Sequence, residues 1–401
     1  MPSKQTAADI VVIGAGIHGA SVAYNLATRL SGAEIVVLDR AERGGGATAA
    51  SAAMLMHQTD DESITRLARL SIERYRELAN TLRVDIGLHQ TGSILFSTSD
   101  KGGKRLVALA EFQRSLGVET DVIDGSEVEV LTGGVVSGDG IAAATYCPSD
   151  GYVAARAVVD GYLDFAERRG ATVRPNTAAV ELMLDNQQVV GVKLDSGEVI
   201  DTDCVVNCAG ARAREVGLWA GIDLPIKRSH RNMLLLKVDE PGRRRVPIVE
   251  DVDSGWYFRR HPDGVLMGVG PTNWLDEDQA SLDATYDSQY EAVAAEYLEA
   301  RAPSLAPLAT VETWAGSRPM LDPVVVRHRE GADGHPIVGG VAGTTGLYLS
   351  CAWGAFGVTL APIGGELAAQ AVCGEKPTVD TAPLSWARFS AKQRLRLDEA
   401  A

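Results

Sequence analysis

The sequence predicts an α/β protein in which a dinucleotide-binding domain, assembled from separated stretches of chain, is interleaved with an antiparallel-sheet domain. Three observations predict it. A strand, a glycine turn, a helix and a second strand open the chain. Two more loops of small residues, at 43–53 and 354–357, lie far from that unit. Between residues 227 and 318 the pattern changes to short strands with hairpin punctuation.

The opening unit reads Asp9-Ile-Val-Val-Ile-Gly-Ala-Gly-Ile-His-Gly-Ala20. Gly14 permits a tight turn after the strand, Gly16 lets backbone approach a pyrophosphate, and Gly19 lets helix and sheet pack closely. Ile17 and His18 then offer backbone N–H groups that have no partner inside the helix and suit an anion. The second strand, 34–38, ends in Asp39, a carboxylate placed for the ribose hydroxyls of an adenosine, with Arg40 beside it. A glycine fingerprint alone is weak, but strand, glycines, helix, strand and terminal acid in one unit are specific.

The chain has 401 residues, more than one usual core, so two domains are expected. A net charge of −15 disfavours nucleic acid and anionic membrane as partners. The five cysteines show no CxxC spacing, and the polar start of the chain has no apolar signal core. These features predict a reducing, cytoplasmic setting. The charge-free stretch 346–365 is broken by glycines and a proline, so it reads as strand, loop and helix, not as a membrane span.

Helical spacing of apolar residues predicts helices over 62–82, 104–116, 154–169, 284–300 and 358–373. Strands are expected at 91–98, 171–173, 179–184, 189–194 and 199–208, then at 230–238, 246–250, 255–260, 265–269, 311–316 and 347–350. Pro262-Asp263-Gly264 marks a hairpin turn. The domains expected are 1–88, 150–224 and 336–401 for the nucleotide, and 89–149 and 225–335 for substrate. A nicotinamide enzyme needs one phosphate loop, whereas three cradles suit a flavin dinucleotide. A helix opening near Val358-Thr359 would stabilise negative charge on a reduced flavin.

The opening unit, "RGGGATAASAAM", "VVNCAGA", "WAGSRPMLD" followed by "PIVGG", and "GLYLSCAWGAFGVTLAP" occur in this order. Together they resemble the D-amino-acid oxidase and sarcosine oxidase superfamily of FAD-dependent amine oxidoreductases, over nearly the whole chain. The resemblance implies a glutathione-reductase-type FAD-binding Rossmann domain interleaved with an antiparallel-sheet substrate domain. It implies FAD contacts from Gly46, Ala47, Thr48, Ser51, Ala53 and Met54 in the second loop. Further contacts are expected from Val180 through its backbone at the adenine end, from Ala209 and Gly210, and from Gly354, Phe356, Gly357, Val358 and Thr359. No histidine stands in the loop after Gly46 and no cysteine follows Arg318 directly, so non-covalent FAD is expected.

Arg318, in Gly316-Ser-Arg-Pro319, resembles the arginine that pairs with the substrate carboxylate in glycine- and D-amino-acid-oxidising relatives. A guanidinium fork matches a carboxylate in a bidentate pair. Tyr257 resembles a pocket tyrosine of those relatives. Arg259, Arg260 and His261 read as a solvated hairpin. His57 follows the second loop and is the candidate base. Oxygen-using sarcosine oxidases carry a lysine where this chain has Leu266, which tilts the expectation towards a dehydrogenase.

The expected reaction is oxidation of the C–N bond of a small amino or N-methylamino acid, by hydride transfer to flavin N5, giving an imine that hydrolyses. The alternatives are flavin-dependent oxidation of a 2-hydroxy acid, which needs a base such as His57, or a flavin subunit of a multi-subunit dehydrogenase. The electron acceptor stays open between oxygen, a quinone and an electron-transfer protein.

Overall fold

The computed structural model describes residues 6–237, 246–274, 285–322 and 334–389. At its centre is a six-stranded sheet. Ile10–Ile13 lies between Ile35–Leu38 and Val205–Asn207, and all three run parallel. Thr172–Arg174 and Leu347–Cys351 extend the parallel ladder on either side, and Ile337–Gly340 closes one edge antiparallel. The apolar runs IVVI and IVVL are wholly buried, as parallel strands covered on both faces must be. Helices Ile17–Arg29, Glu62–Leu82, Ala155–Arg168 and Ala361–Cys373 cover one face in a single apolar cluster. A four-stranded sheet, Thr6–Ala7, Val199–Asp201, Gln188–Leu194 and Ala179–Asp185, helps cover the other.

The second layer is a mixed eight-stranded sheet. Its order is Thr310–Leu321, Ile226–Lys237, Gly264–Trp274, Tyr257–His261, Ile248–Asp251, Ser93–Ser97, Ala143–Cys147 and Asp121–Ile123. Its strands come from within 89–149 and 225–335, and those of the parallel sheet from outside both stretches. His261 pairs with Gly264 across Pro262-Asp263, the expected hairpin.

Several boundaries differ from expectation, each for a local reason. The stretch 199–208 is two strands in two sheets, because Thr202 turns the chain and its hydroxyl hydrogen-bonds the Asp9 and Cys204 carbonyls. Asp100–Ser115 starts before residue 104, capped by the Ser99 side chain. The unforeseen helix Gly125–Thr132 opens on a capping box between Asp124 and Glu127, a signal the sequence carries. The last helix begins at Ala361, not at 358, after the 3-10 turn Gly354–Phe356. Residue 284 of the helix expected at 284–300, and residue 238 of the strand expected at 230–238, lie outside the described residues.

The helix Ile17–Arg29 sits on the sheet by way of Gly19. A Cβ there would stand 1.8 Å from the Gly14 carbonyl oxygen and 3.3 Å from Cys208 Cβ. The Gly14 contact is with backbone, which cannot give way. Gly19→Ala is expected to cost about 3 kcal/mol or more and, if the expected flavin binds at this turn, to yield protein without its yellow colour. Thermal unfolding and the visible spectrum check this.

Candidate active site

Between the two layers lies a cavity of about 1050 Å³. Ordinary small-ligand pockets run to about 300–1,000 Å³, so this one has room for a large cofactor with a small substrate beside it. The glycine turn forms one wall. Gly14 has φ +111°, and a Cβ there would lie 2.4 Å from the Cys208 carbonyl oxygen. Gly16 caps Ile17–Arg29 without a side-chain hydrogen bond, and the first turn holds no acid. The helix end thus keeps its partial positive charge for an anion.

The second loop is tied to the first. Gly44 N–H donates to the Ala15 carbonyl at 2.9 Å, and Ile17 N–H donates to Thr48 Oγ1 at 3.1 Å. The third loop is tied to the same helix by His18, whose Nε2 lies 2.7 Å from the Gly357 carbonyl and whose ring stacks on Trp353 at 4.0 Å. Burial drops the His18 pKa to about 3, so the ring is neutral and Nε2–H is the donor. The expectation of backbone contact alone from His18 is therefore too narrow: its side chain joins two cradles.

Gly14, Gly16, Ile17, His18, Asp39, Arg40, Gly46, Ala47, Thr48, Ser51, Ala53, Met54, Ala209, Gly210, Gly354, Gly357, Val358, Tyr257 and Arg318 all line the cavity. Asp39 Oδ2 accepts from Ala15 N–H at 2.6 Å and Oδ1 from Ala41 N–H at 2.8 Å. Burial raises its pKa, and those two N–H groups oppose the rise.

Five expected site residues stand elsewhere. Gly19 packs helix on strand, the role read for it. Val180 is 42% exposed, at an irregularity in the Ala179–Asp185 ladder, and Thr177, Ala178 and Ala179 take the lining position. Phe356 packs on the apolar clusters. Thr359 is buried behind the loop, donating to the Met54 carbonyl at 3.0 Å and accepting from Met56 N–H at 3.3 Å. The helix N-terminus expected near Val358-Thr359 is displaced to Ala361, so it does not open at the third loop.

His57 is the fifth. It points away from the cavity into a buried polar knot, with Nδ1 2.6 Å from Asp150 Oδ1. Asp150 also accepts from His57 N–H at 2.9 Å and from Ser93 Oγ at 2.6 Å. His57 is not among the described residues that line the cavity, and its ring is engaged in this buried knot instead. Arg259 is a second correction: it is 6% exposed, donates from Nε to the Ala52 carbonyl and lies 4.5 Å over the Tyr152 ring.

The eight-stranded sheet supplies the opposite wall. In its ladders Arg318 faces Ser229, Arg231 faces Gly316, Met233 faces Trp314, and Tyr257 lies between Glu250 and Gly268. Gly268 makes room for Tyr257, whose ring would be 2.3 Å from a Cβ there. The Tyr257 hydroxyl donates to Met233 Sδ at 3.2 Å. Arg318 Nε is buried with no hydrogen-bond partner among the described residues. Burial, then the neighbouring Arg231, bring the Arg318 pKa down to about 10. Arg231 and Glu250 line the same wall and were not foreseen. Leu266 is buried with Ala52 and Met233, and no lysine is among the described residues that line the cavity.

The family model of the FAD-dependent oxidoreductases (DAO) matches residues 9–371. The chain belongs to this family, and its cofactor is FAD. It is 29% identical over 383 residues to the uncharacterized oxidoreductase YurR of Bacillus subtilis (strain 168), covering 93% of this chain and 97% of that one. It is 26% identical to the mitochondrial sarcosine dehydrogenase of Homo sapiens, covering 93% of this chain but only 40% of that longer one. Among solved structures it is similar to glycine oxidase from Geobacillus kaustophilus, with a TM-score of 0.85 at 22% identity, covering 96% of this chain and 100% of that one. No helix among the described residues is long and apolar enough to cross a membrane.

Replacing His57 separates structure from chemistry. His57→Ala strips a partner from a fully buried carboxylate and is expected to cost about 3 kcal/mol of stability, read by denaturant unfolding. The rate of flavin reduction by substrate should stay near wild type. A fall of about 100-fold or more, the mark of a lost general base, would return His57 to the active site.

Proposed function

We propose that the protein oxidises the carbon–nitrogen bond of a small amino or N-methylamino acid, with FAD held without a covalent bond. The observation that carries this reading is Arg318: a guanidinium buried in the cavity wall with an unanswered donor, across from the glycine cradle. A substrate carboxylate answers that donor as a bidentate partner. Tyr257 flanks it and narrows the space together with Met233.

The residues fit FAD. Three tied loops, a helix N-terminus with no acid in its first turn and Asp39 line one continuous cavity with the sheet wall. Two thiols, Cys208 and Cys351, also reach the cavity. Burial pushes both up, Cys351 to about 12, so neither is a nucleophilic thiolate at neutral pH. This supports non-covalent binding.

FAD, when bound, would supply the acceptor for a hydride, which carries both electrons of the oxidation. The chain's own residues do the rest. Arg318 fixes the carboxylate, and through it the carbon that bears nitrogen. The apolar and small side chains around Ala52, Met54 and Met233 exclude water. Positioning is the main work asked of them. A 2-hydroxy acid would demand a strong base, and His57, the residue that would have served, faces another way. The absence of lysine from the described lining favours a dehydrogenase, with oxygen a poor acceptor.

Anaerobic mixing with a panel of amino, N-methylamino and hydroxy acids tests the reading, with loss of the flavin band as the signal. Amines should bleach it and hydroxy acids should not. Arg318→Ala should keep its colour and lose about 2–5 kcal/mol in kcat/KM. Arg318→Lys should recover little of that loss, since an ammonium cannot form the fork.

A further inference from the structure

Glu250 is a carboxylate in the cavity wall to which the proposed function gives no work. It lies on Ile248–Asp251 and pairs with Tyr257, which pairs with Gly268, which pairs with Met233. Directly opposed residues of a ladder share a face of the sheet, as do residues two apart on a strand. Glu250, Tyr257 and Met233 therefore form one row. Arg231 and Arg318, two and four residues along from Met233 and its partner Trp314, look out from the same face. All five line the cavity.

Among the described residues, three acidic side chains line the cavity: Asp39, Glu215 and Glu250. Asp39 is held by the Ala15 and Ala41 N–H groups. Glu215 is locked in a two-bond pair with Arg212, at 2.6 and 2.7 Å. Among the described residues no hydrogen bond or ion pair engages the Glu250 carboxylate. An enclosed carboxylate without a partner is costly, and the neighbours that could satisfy it from the wall do not reach it. A substrate whose carboxylate sits on Arg318 brings a nitrogen into the same space, and that nitrogen arrives as an ammonium.

We infer that Glu250 recognises the substrate nitrogen and takes the proton that its ammonium form must lose before oxidation. This rests on the amine reading above. In the step, one N–H bond breaks and its electron pair stays on nitrogen. An O–H bond forms on Glu250, which becomes the neutral acid and returns the proton to solvent after product leaves. The nitrogen then has the lone pair that assists loss of hydride from the adjacent carbon.

The groups around Glu250 make it suited to this. Burial raises its pKa to about 7, opposed by Arg231 and Arg318 and helped by Asp251 on its own strand. Tyr257, from the paired strand, is itself pushed up by burial and stays neutral. Below neutral pH Glu250 is protonated and cannot accept, so the rate of reduction should rise with pH through about 7.

Glu250→Gln keeps the shape and removes the acceptor. With an amine that reduces the wild-type flavin, the variant should lose about 10²- to 10⁴-fold in anaerobic reduction rate at pH 7. Its rising limb should move up towards the pKa of the substrate ammonium itself. Its flavin spectrum, and the change that acetate produces in that spectrum, should match wild type, since acetate offers a carboxylate and no nitrogen. Glu250→Asp should keep the limb near its original position. A Gln variant with wild-type rate and limb overturns the inference, and so does one that loses acetate binding along with rate. A wild-type panel answered only by hydroxy acids removes the amine reading and this inference with it. An amine-active wild type with an indifferent Gln variant removes this inference alone.

Discussion

The segment 44–53 is held from two sides, and the active site exists because of it. On the nucleotide side Gly44 N–H reaches the Ala15 carbonyl, and Thr48 Oγ1 receives Ile17 N–H. On the other side Arg259 and Trp314, both on the large sheet, donate to the Ala52 and Ala50 carbonyls. Ala50 also lies against Gly316, where a Cβ would stand 2.5 Å from its own. The loop is thus a spacer of fixed thickness between the glycine cradle and the substrate wall. Small residues are required because larger side chains would hold the layers apart. Arg259 spends a buried charge on this contact, and burial lowers its pKa to about 10.

That spacing brings charge into a place that water cannot fill freely. Arg318 and Glu250 are both shifted towards their neutral forms, with desolvation the leading cause in each. Such shifts are costly to stability and cluster where a ligand offsets them. The pattern differs from the surface pairs of the same chain. Arg66 and Glu62, for example, meet at 2.9 Å in open solvent and contribute little. Burial with a partner is architecture, as in His57 and Asp150. Burial without one, facing a cavity, is a site waiting for ligand charge.

The division between what was legible in the sequence and what was not follows from the range of the interactions. The βαβ unit was legible because its determinants are local: an apolar run, glycines at fixed offsets and an acid at a strand end. The long helix Glu62–Leu82 was legible from its apolar period alone. Arg318 was legible only through its motif, since nothing local says that it is buried. Glu250 and Arg231 were not, because their importance comes from strand register across a sheet, which pairs residues far apart in the chain. His57 misled for the same reason. Its partner Asp150 lies 93 residues away, and a lone histidine after a flavin loop carries no mark of which way it points. One short signal is local and sits in the sequence itself: Asp124 and Glu127 spell a capping box.

The position of His57 also bears on which bond the cavity is built to break. Oxidising an alcohol requires that an O–H proton leave while hydride departs from carbon, so a strong base must stand beside the oxygen. Oxidising an amine requires only that nitrogen already hold its lone pair. Removing one proton from an ammonium near two guanidiniums is an easier task, since like charge favours its loss. A single carboxylate such as Glu250, lifted by burial to about 7, then suffices. The wall here offers guanidinium, phenol and carboxylate on one sheet face, and among its described lining residues the one histidine, His18, is committed to holding the third loop. Such a wall is electrostatically matched to the proposed oxidation, in which a carboxylate would be anchored on Arg318 and the nitrogen beside it neutralised in place.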